Sequence, residues 1–184
     1  MNRTADVVIV GAGVIGSATA FELAKRGYKT LNIDKLPASG YGSTSNSCAI
    51  GRAHYSPWDG VAMAYEGFFY WDDWNKYLEV EDERGMAKYM KTGSIMFMLK
   101  GADHSKKSLN LFKEIGIEHE IWDLETLKKK MPIYSHDSYN GTSRPDEDDS
   151  FFDKSGDQIE GAVWTPGSGY VSDPQLSTHN LQVA

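Results

Sequence analysis

Gly11, Gly13 and Gly16 stand at the spacing Gly-x-Gly-x-x-Gly near the start of the chain. Glycines so placed can bring a backbone up to a pyrophosphate. The first permits a tight turn, the second lets the main chain approach the anion, and the third lets a helix pack closely on a strand. Val14 and Ile15 lie where that helix begins. Its unpaired N–H groups and the positive end of its dipole favour phosphate there. Asp34, roughly 20 residues further on, is placed to accept hydrogen bonds from the 2′- and 3′-hydroxyls of a ribose and to repel a 2′-phosphate. Lys35 follows it directly. The chemistry is that of holding the ADP half of FAD or NAD, and not of NADP.

Glycine-rich turns are common, so the elements around this one decide its meaning. Val7 to Val10 are apolar and β-branched, as suits a strand buried on both faces. Val14 to Arg26 reads as the helix and Gly27 as its C-terminal stop. Thr30 to Ile33 reads as a second strand that delivers Asp34. Strand, helix, stop and acidic residue are all in register, which an incidental turn would not require.

Composition narrows the remaining classes. The chain has 184 residues, enough for one average domain or one and a fraction. Its net charge of −7 argues against nucleic acid, which calls for a basic face. Lys128 to Lys130 is a basic cluster that reads as a solvated helix end. A mean hydropathy of −0.48 fits a soluble globular protein. No apolar run reaches bilayer length and the chain enters its first strand without a signal peptide, so the expected location is cytoplasmic. A single cysteine, Cys48, excludes an internal disulfide and a cysteine-cluster metal site, and no metal is expected.

After Lys35 comes a loop of small and hydroxyl-bearing residues, with Gly42, Ser43, Thr44 and Ser45 at its centre and Ala49 beyond. Its donors and short side chains suit it to coat a polyanion. Asp59 reads as the N-cap of a helix whose apolar positions run from Val61 through Phe68 and Trp71 to Leu78. Its aromatic stripe reads as core in preference to a flavin-facing box. Strands are expected near 94–99, 118–122 and 161–165, and helices near 105–115, 124–130 and from Pro174 onward. The middle of the chain breaks the strand–helix–strand rhythm and reads as part of a second, mixed domain inserted into the first. Residues 136–160 are acidic with few apolar anchors and read as a solvated, mobile loop; their spacing does not match a calcium loop.

With these residues in view, the sequence resembles the D-amino-acid-oxidase-like superfamily of FAD enzymes, in its sarcosine and dimethylglycine oxidase and dehydrogenase branch. The likeness rests on the glycine turn, Asp34-Lys35, Gly42-Ser43-Thr44-Ser45, Arg52-Ala-His-Tyr55 and Gly169-Tyr-Val-Ser-Asp-Pro174. It implies an α/β fold: an incomplete Rossmann-type FAD-binding βαβ domain over 1–80, part of an inserted α+β substrate domain over 81–168, and a return to the FAD domain over 169–184.

The resemblance also implies an activity. Family members remove a hydride equivalent from the carbon beside an amine nitrogen, which makes a secondary or tertiary amine or amino acid the expected substrate. FAD is the expected cofactor, contacted by Gly11, Gly13, Val14, Ile15, Gly16, Asp34, Lys35, Gly42, Ser43, Thr44, Ser45 and Ala49. Arg52 is a candidate clamp for a substrate carboxylate, with an ion pair or phosphate contact as the alternative. His54 is a candidate to modulate flavin charge or accept a proton near neutral pH, with a plain packed histidine as the alternative. Asn46 stands where some relatives carry a histidine that attaches flavin covalently. Family members continue further, so a second chain or a cleaved C-terminal part is expected to complete both domains. Two other readings stay open: an NAD-dependent dehydrogenase domain, and a non-catalytic nucleotide-binding subunit of a complex.

Overall fold

A computed structural model describes residues 4–101, 103–139, 144 and 146–184. In chain order its elements are β1 (Val7–Val10), α1 (Val14–Lys25), β2 (Thr30–Ile33), β3 (Ile50–Gly51), α2 (Trp58–Asp72), α3 (Trp74–Leu78), β4 (Tyr89–Met90) and β5 (Ser94–Met98). There follow α4 (Asp103–Ile115), β6 (Glu120–Asp123), α5 (Leu124–Lys130), β7 (Asp137–Tyr139), β8 (Lys154–Gln158), β9 (Gly161–Thr165), β10 (Gly169–Val171) and α6 (Pro174–Val183). They fall into two compact units. One comprises Met1–Gly51, Glu66–Lys91 and Gly169–Ala184, and the other Arg52–Tyr65 and Thr92–Ser168.

The first unit is built on a βαβ crossover. β1 and β2 pair in parallel, Val7 opposite Thr30 through Val10 opposite Ile33. α1 ends where the sequence marks it: Gly27 takes φ +86°, and Tyr28 N–H reaches back to Leu23 O at 3.1 Å. A left-handed residue at this point costs glycine nothing. β1 is not buried on both faces as its composition suggests, since Val8 and Val10 are 55% and 84% exposed. The reason is coverage: among the described residues nothing lies over that face.

Three very short strands, ordered β3-β10-β4 and antiparallel, form a second sheet in this unit. Sequence reading misses them because two or three residues cannot show a periodicity. The core gathers Phe21 of α1, Trp74 and Leu78 of α3, Ala87, Val171 of β10 and Leu181 of α6. Trp71 and Trp74 stack 4.4 Å apart, so this part of the aromatic stripe packs inward, while Phe69 is 61% exposed. The stripe is interrupted at Asp73, which stands at the N-cap position of α3, a separate short helix, without a capping side-chain bond. Asp59 lies inside the first turn of α2 and not ahead of it as a cap, because the helix starts one residue earlier, at Trp58. There its carboxylate still faces the positive end of the dipole.

Buried polar groups hold the C-terminal helix in place. Asp173 Oδ1 accepts the Leu176 N–H at 2.9 Å and caps α6, with proline following as its first residue. Asn180 is fully buried. Its Oδ1 accepts Trp74 Nε1–H at 3.3 Å and Ala87 N–H at 3.0 Å, and its Nδ2 donates to Asp82 Oδ2 at 2.8 Å and to Gly85 O at 2.9 Å. All four hydrogen-bonding positions of one amide are thereby used.

In the second unit β9 is the central strand of an antiparallel sheet ordered β5-β9-β6. Trp122 and Trp164 stack at 5.2 Å over a core shared with Leu127, Ile159 and Ala162. Gly93 is at φ +70°, and an added Cβ would collide with the Trp164 ring. Lys130 lies 4.2 Å from the centroid of Trp122 and pairs with Glu120, so the basic cluster at the end of α5 is partly packed. The acidic stretch is not wholly a loop. β7 pairs with β8, and Lys154 Nζ lies 2.7 Å from Asp137 Oδ2. A ladder of backbone bonds and one ion pair needs no apolar pattern, and every residue of β8 is exposed. Residues 140–143 and 145 of that stretch lie outside the described ones. Among the described residues no helix is long and apolar enough to cross a membrane.

Candidate functional site

The turn after β1 is held open by its own backbone. Gly11 takes φ +112° and donates its N–H to Ile33 O at 2.8 Å, tying the turn to the end of β2. A Cβ on Gly16 would collide with Gly11 O, and one on Gly13 would sit 3.0 Å from Thr44 Oγ1. Gly13 and Gly16 therefore preserve close approaches that a side chain would block, and Gly11 supplies the positive φ of the turn. Thr44 is itself buried, and its Oγ1 accepts the Val14 N–H at 3.1 Å. One orphan donor at the start of α1 is satisfied in this way.

Asp34 is oriented by two main-chain donors. Its Oδ2 accepts the Ala12 N–H at 2.7 Å and its Oδ1 the Leu36 N–H at 2.9 Å. The Ala12 bond, followed by that of Leu36, holds the carboxyl below the usual aspartate range. An ionised carboxylate has about four lone-pair sites, so acceptor capacity is left for a diol.

These parts line one groove of about 540 Å³, in which Gly11, Gly13, Val14, Ile15, Gly16, Ser43 and Thr44 all take part. Asp34 and Lys35 line an adjoining groove that shares Val10 and Gly11. Ala49, at φ +51°, lines a smaller cavity together with Val14 and Thr44. Gly42 and Ser45 do not line these three spaces. Ser45 Oγ donates to Gly42 O at 2.8 Å, and Gly42 packs toward Leu36. Together they shape the loop. Sequence reasoning passed over Ala12, whose N–H aims Asp34, and Ser47, which lines both the groove and the smaller cavity. Ser47 belongs to the same hydroxyl-rich run, which could have signalled it; the Ala12 N–H carries no side-chain signal.

Arg52 and His54 belong to the second unit. The Arg52 guanidinium lies 5.5 Å from the centroid of the Tyr55 ring. Among the described residues no carboxylate lies within ion-pair distance of it. His54 is buried, with Nε2 3.0 Å from Thr165 Oγ1. Thr165 Oγ1 also lies 2.8 Å from Ser94 Oγ and 3.0 Å from Ser168 Oγ. Burial, then the charges of Arg52 and His104, pushes the His54 imidazole down to about 4. At neutral pH the ring is uncharged, an environment that suits holding a chain segment better than taking up a proton near neutral pH.

The site has a nucleotide's chemistry throughout: a glycine turn on a helix N-terminus for pyrophosphate and an aimed carboxylate for a ribose diol. The comparisons agree. Residues 6–184 match the family model described as FAD dependent oxidoreductase, DAO. The chain is 29% identical over 149 residues to the monomeric sarcosine oxidase of Bacillus sp. (strain B-0618), covering 79% of this chain and 37% of that one. Its fold is similar to that of L-proline dehydrogenase from P. horikoshii (TM-score 0.72, 21% identity, 100% of this chain and 42% of that one). It is similar also to glycine oxidase from Geobacillus kaustophilus (TM-score 0.67, 22% identity, 96% and 43%). The chain thus spans well under half the length of these relatives. A match running through the glycine turn, the Asp34 strand and the hydroxyl loop in one frame is decisive: the chain belongs to the DAO family of FAD-dependent oxidoreductases.

Proposed function

We propose that this chain supplies the ADP-binding part of an FAD-dependent enzyme that oxidises the C–N bond of a secondary or tertiary amine or amino acid, sarcosine- or dimethylglycine-like. The observation that carries this reading is the Asp34 carboxylate, aimed by Ala12 N–H beside a glycine turn that a single Cβ would close. The likeness to a sarcosine oxidase suggests the substrate class.

The bound flavin supplies a two-electron acceptor. This chain's residues hold and orient. The N-terminus of α1 and the glycine turn take the pyrophosphate, with Ser43 and Thr44 lining the same groove. Asp34 takes the ribose hydroxyls. Arg52, which has no carboxylate partner among the described residues, clamps the substrate carboxylate, its plane steadied by Tyr55. His54 acts as a positioning residue, neutral and bonded to Thr165, which anchors the segment that carries Arg52. In this reading the expected division into 1–80 and 169–184 as FAD-binding and 81–168 as substrate-binding is moved to the bounds of the two units, so that Arg52–Tyr65 join the substrate-binding part and residues 81–91 the FAD-binding part. A second chain or C-terminal part completes both. The solvent-facing Val8, Val10 and Ile33, respectively 55%, 84% and 46% exposed, offer it an apolar face.

The test is spectroscopic. The chain, purified together with whatever copurifies, is examined for bound-flavin absorption and then mixed anaerobically with sarcosine or dimethylglycine. Bleaching of the flavin band supports the reading, and Arg52→Gln should raise the substrate concentration needed. A colourless preparation that fails to bind added FAD, or that binds NADH in its place, overturns it.

A further inference from the structure

A second polar cavity, of about 550 Å³, lies within the first unit and shares no lining residue with the nucleotide groove. Gln175, His179 and Gln182 reach it from one face of α6, at steps of four and three residues, and Ser39, Tyr41 and Arg84 complete its donors. Behind His179 lies Asp82, whose side chain is only 1% exposed. The Asp82 carboxylate accepts Arg84 N–H at 2.9 Å and Asn180 Nδ2–H at 2.8 Å, and His179 Nε2 approaches it at 3.3 Å. The first of these bonds is the main cause that holds Asp82 below the usual carboxylate range, so it is ionised.

The arrangement orients His179. With Nε2 committed to a buried carboxylate, Nδ1 is the only ring nitrogen left for a ligand. The carboxylate behind it fixes the orientation of the ring, as in a carboxylate-supported imidazole at a binding site. Arg84 adds the stronger argument. Among the described residues no carboxylate lies within ion-pair distance of its guanidinium, although its backbone is fixed by Asp82. The guanidinium, whose charge also acts on Asp82, stands in a concave site with an imidazole, two amides and two hydroxyls, a donor-rich surface that suits an oxyanion. The cavity also holds one carboxylate, Asp173, whose Oδ1 accepts the Leu176 N–H as the cap of α6 and whose Oδ2 would disfavour an anion placed beside it, so the ligand is expected on the Arg84 side. The volume lies in the range of small-metabolite pockets.

We propose that this cavity is a second ligand site, distinct from the nucleotide groove, for a small molecule bearing a carboxylate or phosphate, with Arg84 as its principal contact and His179, backed by Asp82, as its second. The site does not depend on the flavin reading, because none of the residues that line it lines the nucleotide groove.

Inorganic phosphate and succinate are the probes. Each is titrated into the purified chain by calorimetry and by thermal melting, with and without saturating ADP. Saturable binding of either probe is expected, undiminished by ADP. Phosphate alone would mark a phosphate-bearing ligand, and succinate alone a carboxylate-bearing one. Arg84→Gln should leave the melting temperature of the unliganded chain unchanged while weakening the probe about tenfold or more. His179→Gln, which keeps a donor toward Asp82, should weaken it less. Failure of both probes to saturate by about 10 mM, a range weaker than ordinary metabolite binding, overturns the proposal. So does equal binding by Arg84→Gln, or displacement of the probe by ADP.

Discussion

Asn180 on α6 donates to the buried Asp82 carboxylate at 2.8 Å, and the two residues are 98 positions apart in the chain. The same amide also serves Trp74, Ala87 and Gly85. One side chain thus ties the last helix to α3 and to the turn that leads into β4. Burial makes this arrangement all-or-none, because each partner loses its hydrogen bond if the amide is removed.

Asn180→Leu is therefore expected to destabilise the chain by about 2–4 kcal/mol, since several buried polar groups lose their partner while volume is nearly kept. Urea unfolding of the two proteins checks this. A change under about 0.5 kcal/mol, the range of surface substitutions, would show that water or rearrangement satisfies the orphaned groups.

Asp34→Ala removes the acceptor that Ala12 N–H and Leu36 N–H both address. ADP and FAD affinity should fall roughly 10- to 100-fold, as expected for losing charge-assisted bonds to a diol. The lowered carboxyl pKa gives this a pH signature. Stability from the ionised form is present above the unfolded aspartate range and is lost as pH falls through the lower, folded value. Asp34→Asn should flatten that acid limb in thermal melts.

Gly16→Ala places a methyl group against Gly11 O. Backbone must move to admit it, with an expected cost of roughly 1–3 kcal/mol as in overpacked sites. Nucleotide binding should weaken along with stability, because the same shift widens the turn that Gly11 and Gly13 form. Melting temperature and ADP titration together are the measurement, and an unaffected ADP affinity would separate the turn from the site.

His54 offers a prediction with a worked sign. Its imidazole is held at about 4 in the folded chain, against 6.5 unperturbed, because burial disfavours the charged ring. Between those values the unfolded chain binds the proton first. Stability is then full above pH 6.5 and declines as pH drops toward 4, by up to about 3 kcal/mol. His54→Gln keeps a polar group toward Thr165 and should remove most of that decline. A melting temperature with the same pH dependence in both proteins would place the titration elsewhere.

The nucleotide turn was legible in the residues because its requirements are local. A positive φ at Gly11, a close approach at Gly16 and a helix stop at Gly27 each call for glycine at one position, whatever the rest of the chain does. The order of β1, α1 and β2 was legible for a similar reason, since a βαβ crossover is set by short-range pattern and handedness. Other features needed the folded chain. Ser43 and Ser45 are chemically alike in sequence, yet one lines the groove and the other bonds back to Gly42. β3, β4 and β10 are too short to show a period, and they exist only because each finds its neighbour across the chain. His54 could not be told from a surface histidine until Thr165, 111 residues away, stood against it. Backbone conformation is coded by the residue that adopts it, whereas burial and hydrogen-bond partnership belong to pairs that only tertiary folding brings together.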